Sequence, residues 1–253
     1  LAASRDLGPR DIAVYVGIPF CPTRCAYCSF VSQSVEKSFA LVDPYVDALV
    51  AEIRTGGEMV RRAGLRVRSF YMGGGTPTTL TAGQMDRVLT AREEAFDRDG
   101  CREITVEAGR PDTITADKLA VLRDHGVTRI SVNPQTMEDH VLQAIGRRHT
   151  AAEIDAAMEL VGRYHFPHVN MDLIAGLPAD SPEGFCRSLD RCLAYGTDNV
   201  TVHTLALKKG SRILLEGLPV PGPEDVAAML DYAAPTLRGR GYAPYYLYRQ
   251  KYM

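Results

Sequence analysis

Short apolar runs alternate with longer amphipathic segments along the chain, and each such pair predicts a β-strand followed by a helix. The apolar runs are rich in β-branched and aromatic residues and end in glycine or polar residues, as buried strands of a parallel sheet do. The predicted strands cover residues 12–18, 69–72, 103–107, 129–133, 168–174 and 199–205.

Apolar residues after these strands recur at spacings of three and four, which is the pattern of a helix with one buried face. In the first helix Tyr45, Leu49 and Ile53 share one side, and Thr81 and Gln84 have the spacing of a capping box at the start of the second. The predicted helices cover residues 44–61, 81–96, 115–125, 138–145, 151–164, 182–194 and 223–237, and residues 208–221 are predicted to form a loop.

Six successive strand–helix units predict an α/β fold whose parallel strands are joined by right-handed crossovers. An open sheet and a barrel share this order of elements. In both, ligands bind at the carboxyl ends of the strands, and the glycine-rich and polar segments of this chain follow its strands. The sequence therefore predicts a functional site at that edge.

Composition and charge narrow the class of protein. The 253 residues are 45% hydrophobic and 24% charged, which is typical of a globular domain with its own core. The formal net charge of −2 argues neither for nor against a polyanionic partner, and we expect no nucleic-acid partner. No apolar run is long enough to span a membrane, and the first residues are too polar for a signal peptide. We expect a cytoplasmic protein, and the ends at Leu1 and Met253 indicate part of a longer polypeptide.

Three cysteines, Cys21, Cys25 and Cys28, stand in a C-x3-C-x2-C arrangement after the first predicted strand. They supply one thiolate fewer than a [4Fe–4S] cluster needs for full ligation by the protein. An open metal position is where an outside molecule binds and reacts. The spacing therefore favours a cluster that takes part in chemistry over one that only stabilises a fold.

Two other interpretations of the triad stay open at this point. Three thiolates and one imidazole would complete a tetrahedral zinc site, although no second C-x2-C or C-x-H pair follows. A disulfide is the other alternative, but Cys101, Cys186 and Cys192 are scattered and show no framework spacing.

The triad and the glycine run together resemble the radical S-adenosylmethionine (SAM) superfamily. Residues 15–21 (YVGIPFC), 71–77 (YMGGGTP) and 171–178 (MDLIAGLP) resemble the HemN family of anaerobic coproporphyrinogen III oxidases. Residues 106–111 (VEAGRP), 133–135 (NPQ) and 245–250 (YYLYRQ) are most similar to its HemZ branch. The resemblance covers about residues 12–250.

The resemblance implies a partial (β/α)6 barrel of the TIM type, open on one side. It divides the chain into an N-terminal tail (1–11), the radical SAM barrel (12–240) and the start of a C-terminal extension (241–253). It also implies that the three cysteines ligate three irons of a [4Fe–4S] cluster and that SAM chelates the fourth. By match to the family's motifs, one SAM site is lined by Tyr15, Gly74 and Glu107; the same or a second SAM site is lined by Tyr27, Gly75, Thr76, Gln135, Arg147, Asp172 and Ala206.

The residue types suit these roles, and each has a plainer alternative. Glycines after a strand let backbone groups meet a ligand, or simply make a tight turn. Carboxylates at strand ends, as at Glu107 and Asp172, suit ribose hydroxyls or an ammonium group, or cap the next helix. The amide of Gln135 can donate and accept hydrogen bonds. Arg147 offers a fork for a carboxylate, although Arg148 could take that role or both could lie on a solvated helix face.

Three further side chains are weighed in the same way. Tyr27 lies within the cysteine segment, where its ring could pack on adenine or only on the loop. His149 and His203 could serve as acids or bases, but an ordinary structural role is favoured for each.

By resemblance, the protein is a radical SAM oxidoreductase that generates a 5′-deoxyadenosyl radical from SAM. Its expected substrate is a porphyrinogen, coproporphyrinogen III, which loses two CO2 to give protoporphyrinogen IX; another small molecule is the alternative. A low-potential electron donor such as flavodoxin is the expected partner. A HemW-like haem chaperone and a HemN-like methyltransferase remain alternatives. Gly17 replaces a histidine of the family motif, and Asn133-Pro134 replaces Gly-Val, which affects the substrate and second-SAM assignments.

Overall fold

The computed structural model describes residues 6–28, 33–97 and 100–246. Six parallel strands form one sheet in chain order, and within the described residues the last strand does not pair with the first. The strands are β1 (Asp11–Ile18), β2 (Arg66–Gly74), β3 (Glu103–Glu107), β4 (Arg129–Gln135), β5 (His168–Ala175) and β6 (Asn199–Thr204). The predicted α/β fold, a partial barrel open on one side, is confirmed.

Helices cover the outer face of this sheet. They are α1 (Val35–Arg62), α2 (Ala82–Ala95), α3 (Ala116–Asp124), α4 (Asp139–Ala144), α5 (Ala151–Arg163), α6 (Pro182–Ala194), α7 (Arg212–Glu216) and α8 (Pro223–Gly239). The predicted capping box is present at α2, where the Thr81 hydroxyl accepts from the Gln84 amide and the Gln84 side chain accepts from Thr81. No helix in the described ranges is long and apolar enough to cross a membrane.

Two predictions of local structure were wrong. The first helix begins at Val35 and not at Pro44, which lies inside α1; the irregular backbone in this helix is at Ser38. Proline is favoured in the first turn of a helix, and so its position suggested a start. The predicted loop at 208–221 contains the short helix α7, whose Ile213 is buried against the rest of the chain.

The two faces of the strands differ in polarity. Because side chains alternate along a strand, every second residue faces the barrel interior. The outward residues of β3–β6 are apolar and join the main core beneath the helices, whereas the inward ones are mostly polar, with Ile174 as an apolar exception. On the inside, Asn170 donates to Ser131 Oγ and to Asp172 Oδ1, both at 2.7 Å, and Asn199 donates to Asn170 Oδ1 at 2.6 Å. This hydrogen-bonded column fixes the Asp172 carboxylate near the carboxyl end of the barrel.

Candidate functional site

The cysteine segment lies across the carboxyl ends of the strands and is held by contacts from distant parts of the chain. Cys25 is buried, and Cys21 and Cys28 are half-buried. The Ala26 amide donates to the Ile145 carbonyl at 2.9 Å, and the Ala26 carbonyl accepts from Ile213 at 3.1 Å. The ends of α4 and α7 therefore both hold the loop that carries the triad.

The glycine run packs directly against this loop. The Gly75 amide donates to the Ile18 carbonyl at 2.6 Å, and the Thr76 amide donates to the Phe20 carbonyl at 2.8 Å. A methyl group on Gly75 would lie 2.9 Å from Cys21 Sγ, and the Thr76 hydroxyl lies 3.6 Å from the same sulfur. The structure thus uses Gly75 and Thr76 to position the first cysteine, and the amide of Gly75 is already engaged by the protein.

Glu107 is a carboxylate held in place at the carboxyl edge. It ends β3, and its Oε1 accepts from the Tyr71 hydroxyl at 2.5 Å, while the backbone of Gly74 also donates to it. The Tyr71 ring stacks on the Tyr15 ring, with centroids 5.9 Å apart and planes 17° apart. Tyr15, Gly74 and Glu107, which the sequence assigned to one SAM site, are therefore brought together.

Burial raises the pKa of the Glu107 carboxyl above its ordinary value, and the nearby Asp172 carboxylate raises it further. The hydrogen bond from Tyr71 opposes that rise because it stabilises the ionised form. The Tyr71 hydroxyl is in turn a very weak acid, since burial and the adjacent Glu107 charge both raise its pKa.

Asp172 and His203 complete the inner side of this edge. Asp172 Oδ2 lies 3.8 Å from His203 Nε2, which is too long for a direct hydrogen bond, and the imidazole is partly exposed. Two carboxylates and one imidazole therefore face the open end of the barrel around the Tyr15–Tyr71 stack. Such an arrangement can accept hydrogen bonds from hydroxyl and ammonium groups of a ligand.

The Arg147 guanidinium is bonded to the protein and is not free to bind the carboxylate of a ligand, as the sequence had suggested. It is 7% exposed, its Nη1 donates to the Asn133 carbonyl at 2.5 Å, and its Nη2 donates to the Tyr27 hydroxyl at 3.1 Å. The guanidinium and the Tyr27 hydroxyl also lie within hydrogen-bonding reach of the Cys25 thiol. In this arrangement the side chains of Arg147 and Tyr27 support the second cysteine. The neighbouring Arg148 is exposed.

Gln135 stands at the end of β4 in a left-handed conformation, with φ of 72°. The bulge between Val132 and Gln135 includes Pro134, which cannot donate to a sheet ladder. The Gln135 side chain is buried, and its Oε1 has no hydrogen-bond partner among the described residues. An unpaired buried acceptor at a strained position is a feature of ligand sites. Ala206 follows β6 in the loop before α7 and is half-buried.

Sequence reasoning missed three residues next to the predicted site. Side chains alternate along β2, and this alternation places Tyr71 on the inward face just before the glycine run. The pattern of the strand alone could therefore have identified it. Arg110 and Asp112 follow β3 in the turn at Pro111–Thr113 and contact the cysteine loop or one another. They belong to none of the ligand positions that the motifs supplied.

The donor set fits a [4Fe–4S] cluster with one open iron. All six cysteines are free, which leaves the disulfide interpretation without support. Within the described ranges, no three His, Cys, Asp or Glu side chains surround a single ion position, as tetrahedral zinc would require. Thiolates of a cube bind three different irons and so need not converge on one point.

Comparison with known proteins connects this geometry to a family. The model of the radical SAM superfamily matches residues 15–192, which include the triad, the glycine run, Glu107 and Asp172. The chain belongs to the radical SAM superfamily. Membership confirms the predicted cofactors, a [4Fe–4S] cluster and SAM.

Three relatives place this radical SAM chain near HemN-like proteins. It is 41% identical, over 99% of its length, to the oxygen-independent coproporphyrinogen-III oxidase-like protein HemZ of Bacillus subtilis. It is 31% identical, over 92% of its length, to the heme chaperone HemW of Lactococcus lactis. The structure of coproporphyrinogen III oxidase HemN from Escherichia coli matches with a TM-score of 0.82 at 29% identity over 96% of the chain. The predicted HemN-like resemblance, in the HemZ branch, is confirmed. The chain spans 51%, 60% and 56% of these three proteins, respectively.

The Tyr71–Glu107 hydrogen bond gives a test of the SAM site. If ionised Glu107 accepts from SAM, binding weakens as the pH falls through the raised Glu107 pKa. Replacement of Tyr71 by phenylalanine removes a hydrogen bond that lowers this pKa. The acid limb, which is the part of the affinity–pH curve where SAM binding is lost as the pH falls, therefore moves to higher pH. At neutral pH we expect the SAM affinity to fall roughly threefold to tenfold, the value of one oriented hydrogen bond. Equilibrium binding of SAM across the acidic range measures both effects.

Tyr15→Phe is the matched control, because it keeps the stacked ring and leaves the hydroxyl that donates to Glu107 in place. Its acid limb should coincide with that of the unaltered protein. If the two variants move the limb equally, the hydrogen bond to Glu107 does not control SAM binding.

Proposed function

We propose that this chain is the SAM-cleaving barrel of an enzyme that oxidatively decarboxylates coproporphyrinogen III without oxygen. The observation that carries the proposal is the 41% identity to HemZ over nearly the whole chain. The likeness to the coproporphyrinogen III oxidase HemN, which extends over 96% of the chain, supports it.

Within this proposal, each group of residues has a separate task. The three cysteines hold the cluster, and their loop is fixed by the Gly75 and Thr76 contacts described above. When bound, the two cofactors supply a one-electron cleavage of SAM that yields methionine and an organic radical able to take a hydrogen atom from the substrate. Glu107 and Asp172 accept hydrogen bonds from SAM and so orient it. We assign no amino-acid general base.

The substrate would approach from the carboxyl edge, because the strand interior below Asp172 is filled by hydrogen-bonded side chains. His203 is the imidazole beside Asp172 at this edge and is partly exposed. The Tyr15 side chain is also exposed there, at 63%. A large planar substrate would contact these exposed side chains. Such a substrate would exclude water from the radical.

A second candidate function is haem transfer. The 31% identity to the heme chaperone HemW over 92% of the chain favours it. The higher identity to HemZ, 41% over 99% of the chain, favours the decarboxylase over this second candidate.

One anaerobic reaction separates these functions. The full-length protein with reconstituted cluster is incubated with dithionite, SAM and coproporphyrinogen III, and the products are identified by mass. We expect 5′-deoxyadenosine, CO2 and protoporphyrinogen IX. Tight binding of haem without decarboxylation would favour the chaperone, and a product heavier by one methyl group would favour a methyltransferase. Absence of 5′-deoxyadenosine from a fully loaded sample would contradict SAM cleavage itself.

A further inference from the structure

A buried arginine to which the resemblance assigns no ligand role holds the cysteine loop. Arg110 is 2% exposed, and its Nη1 donates to Thr23 twice, to Oγ1 at 2.7 Å and to the carbonyl at 3.3 Å. Thr23 lies midway between Cys21 and Cys25. The Thr23 hydroxyl donates onward to the Gly146 carbonyl at 3.1 Å. Arg110 therefore contacts the loop between these two cysteines, whereas Arg147 supports Cys25 itself.

Asp112 fixes the orientation of this guanidinium. Its two carboxylate oxygens accept from Arg110 Nε at 3.1 Å and from Nη2 at 3.2 Å, which is a bidentate pair. Burial by itself would raise the pKa of Asp112, but His149 and Arg110 hold the pKa below its ordinary value, so the carboxylate is ionised. With Nε and Nη2 occupied, only Nη1 is directed at Thr23. A buried charge is tolerated when it is paired and hydrogen-bonded in this way.

The charge of Arg110 also reaches the triad. Thr23, which accepts both hydrogen bonds from Arg110 Nη1, is two residues from Cys21 and two from Cys25, so the guanidinium lies against the segment that carries both thiols. Three thiolates around a cube give a site of net negative charge. One-electron reduction of the cluster from the 2+ to the 1+ state, by an external low-potential donor, adds one more negative charge.

We propose that Arg110, oriented by Asp112, is a positioning residue that holds the cysteine loop and favours the reduced state of the cluster. A fixed positive charge in a poorly solvated site stabilises added negative charge more than the same charge would in water. Within the pair, the Arg110 guanidinium makes the hydrogen bonds to Thr23 of the loop, and Asp112 partly offsets its positive charge. The proposal rests on ligation of the cluster by the three cysteines.

The pair predicts opposite effects for its two members. In the cluster-loaded full-length protein, Arg110→Gln removes the charge and keeps a side-chain donor, so the midpoint potential of the cluster should fall. Asp112→Asn removes the compensating carboxylate and leaves Arg110 charged, so the midpoint should rise. We expect the iron content of Arg110→Gln also to fall, because the loop loses an anchor. Dithionite titration followed by electron paramagnetic resonance measures the potential, and iron and sulfide assays measure the loading.

Arg92→Gln is the matched control, since Arg92 is another arginine that is 2% exposed but lies on α2 against the ring of Phe70. It should lower thermal stability without moving the midpoint. Unchanged midpoints in Arg110→Gln and Asp112→Asn, or shifts in the same direction, would overturn the proposal. If Arg110→Gln cannot be loaded, Asp112→Asn decides: a midpoint that does not rise overturns it. Failure of the unaltered protein to hold a cluster would instead contradict the cysteine assignment.

Discussion

Replacement of Cys25 by alanine is expected to remove the cluster and with it all cleavage of SAM. Cys25 is the buried member of the triad, so water cannot reach the vacated position as readily as it could at Cys21 or Cys28. Two thiolates cannot hold a cube that already has one open iron. We expect iron and sulfide to fall to background. Loss of an outer-shell partner of a metal site costs up to roughly 100-fold in activity, so loss of a direct ligand should lower 5′-deoxyadenosine formation by more than that. Visible absorbance of the anaerobically reconstituted protein and product assays measure these changes.

Cys186→Ala is the matched control. Cys186 lies on α6, is half-buried and belongs to no ligand position, so this variant should keep its iron and its activity. Full iron and sulfide in Cys25→Ala would contradict the ligand role. Equal iron loss in both variants would indicate that cysteine replacement acts on folding and not on the cluster.

The strand order and most element bounds could be predicted because they depend on local patterns. The third strand at 103–107 and the helix at 182–194 were predicted with the bounds that the structure shows. The start of α1 could not be predicted from local patterns. Proline strongly prefers the first turn of a helix, but Pro44 lies inside α1 because tertiary packing overrides that preference. The existence of six strand–helix units depends on no single such position.

The positions of the candidate site residues in the fold could be predicted from the sequence better than their contacts could. Motifs placed Glu107 and Asp172 at the carboxyl edge, and both lie there. They could not show that Arg147 is engaged by the Asn133 carbonyl and by Tyr27, because those partners come from other segments. Nor did any motif indicate the Thr23–Arg110–Asp112 chain, which exists only once β3 and the cysteine loop pack together.

Gly75 tests whether the glycine run serves packing or ligand access. The methyl group of Gly75→Ala would lie 2.6 Å from the Phe20 carbonyl oxygen and 2.9 Å from both the Ile18 carbonyl oxygen and Cys21 Sγ. Two of these atoms belong to the backbone and cannot rotate away. We expect a loss of roughly 1–3 kcal/mol in stability, as for other overpacked sites, together with partial loss of iron. The melting temperature should fall by about 2–4 °C for each kcal/mol.

The control for this variant is Gly162→Ala in α5, where an added methyl group meets nothing within 4 Å. Alanine favours a helix interior over glycine by roughly 0.5–1 kcal/mol, so the control should melt slightly higher and keep its iron. Whether Gly75 serves packing or ligand access is then decided by which property Gly75→Ala loses: iron and stability, or SAM binding. Because its methyl group is directed at Cys21, a packing role requires iron loading and melting temperature to fall together with activity. If the variant keeps its iron and melting temperature but binds SAM weakly, Gly75 serves the ligand and the packing argument is wrong.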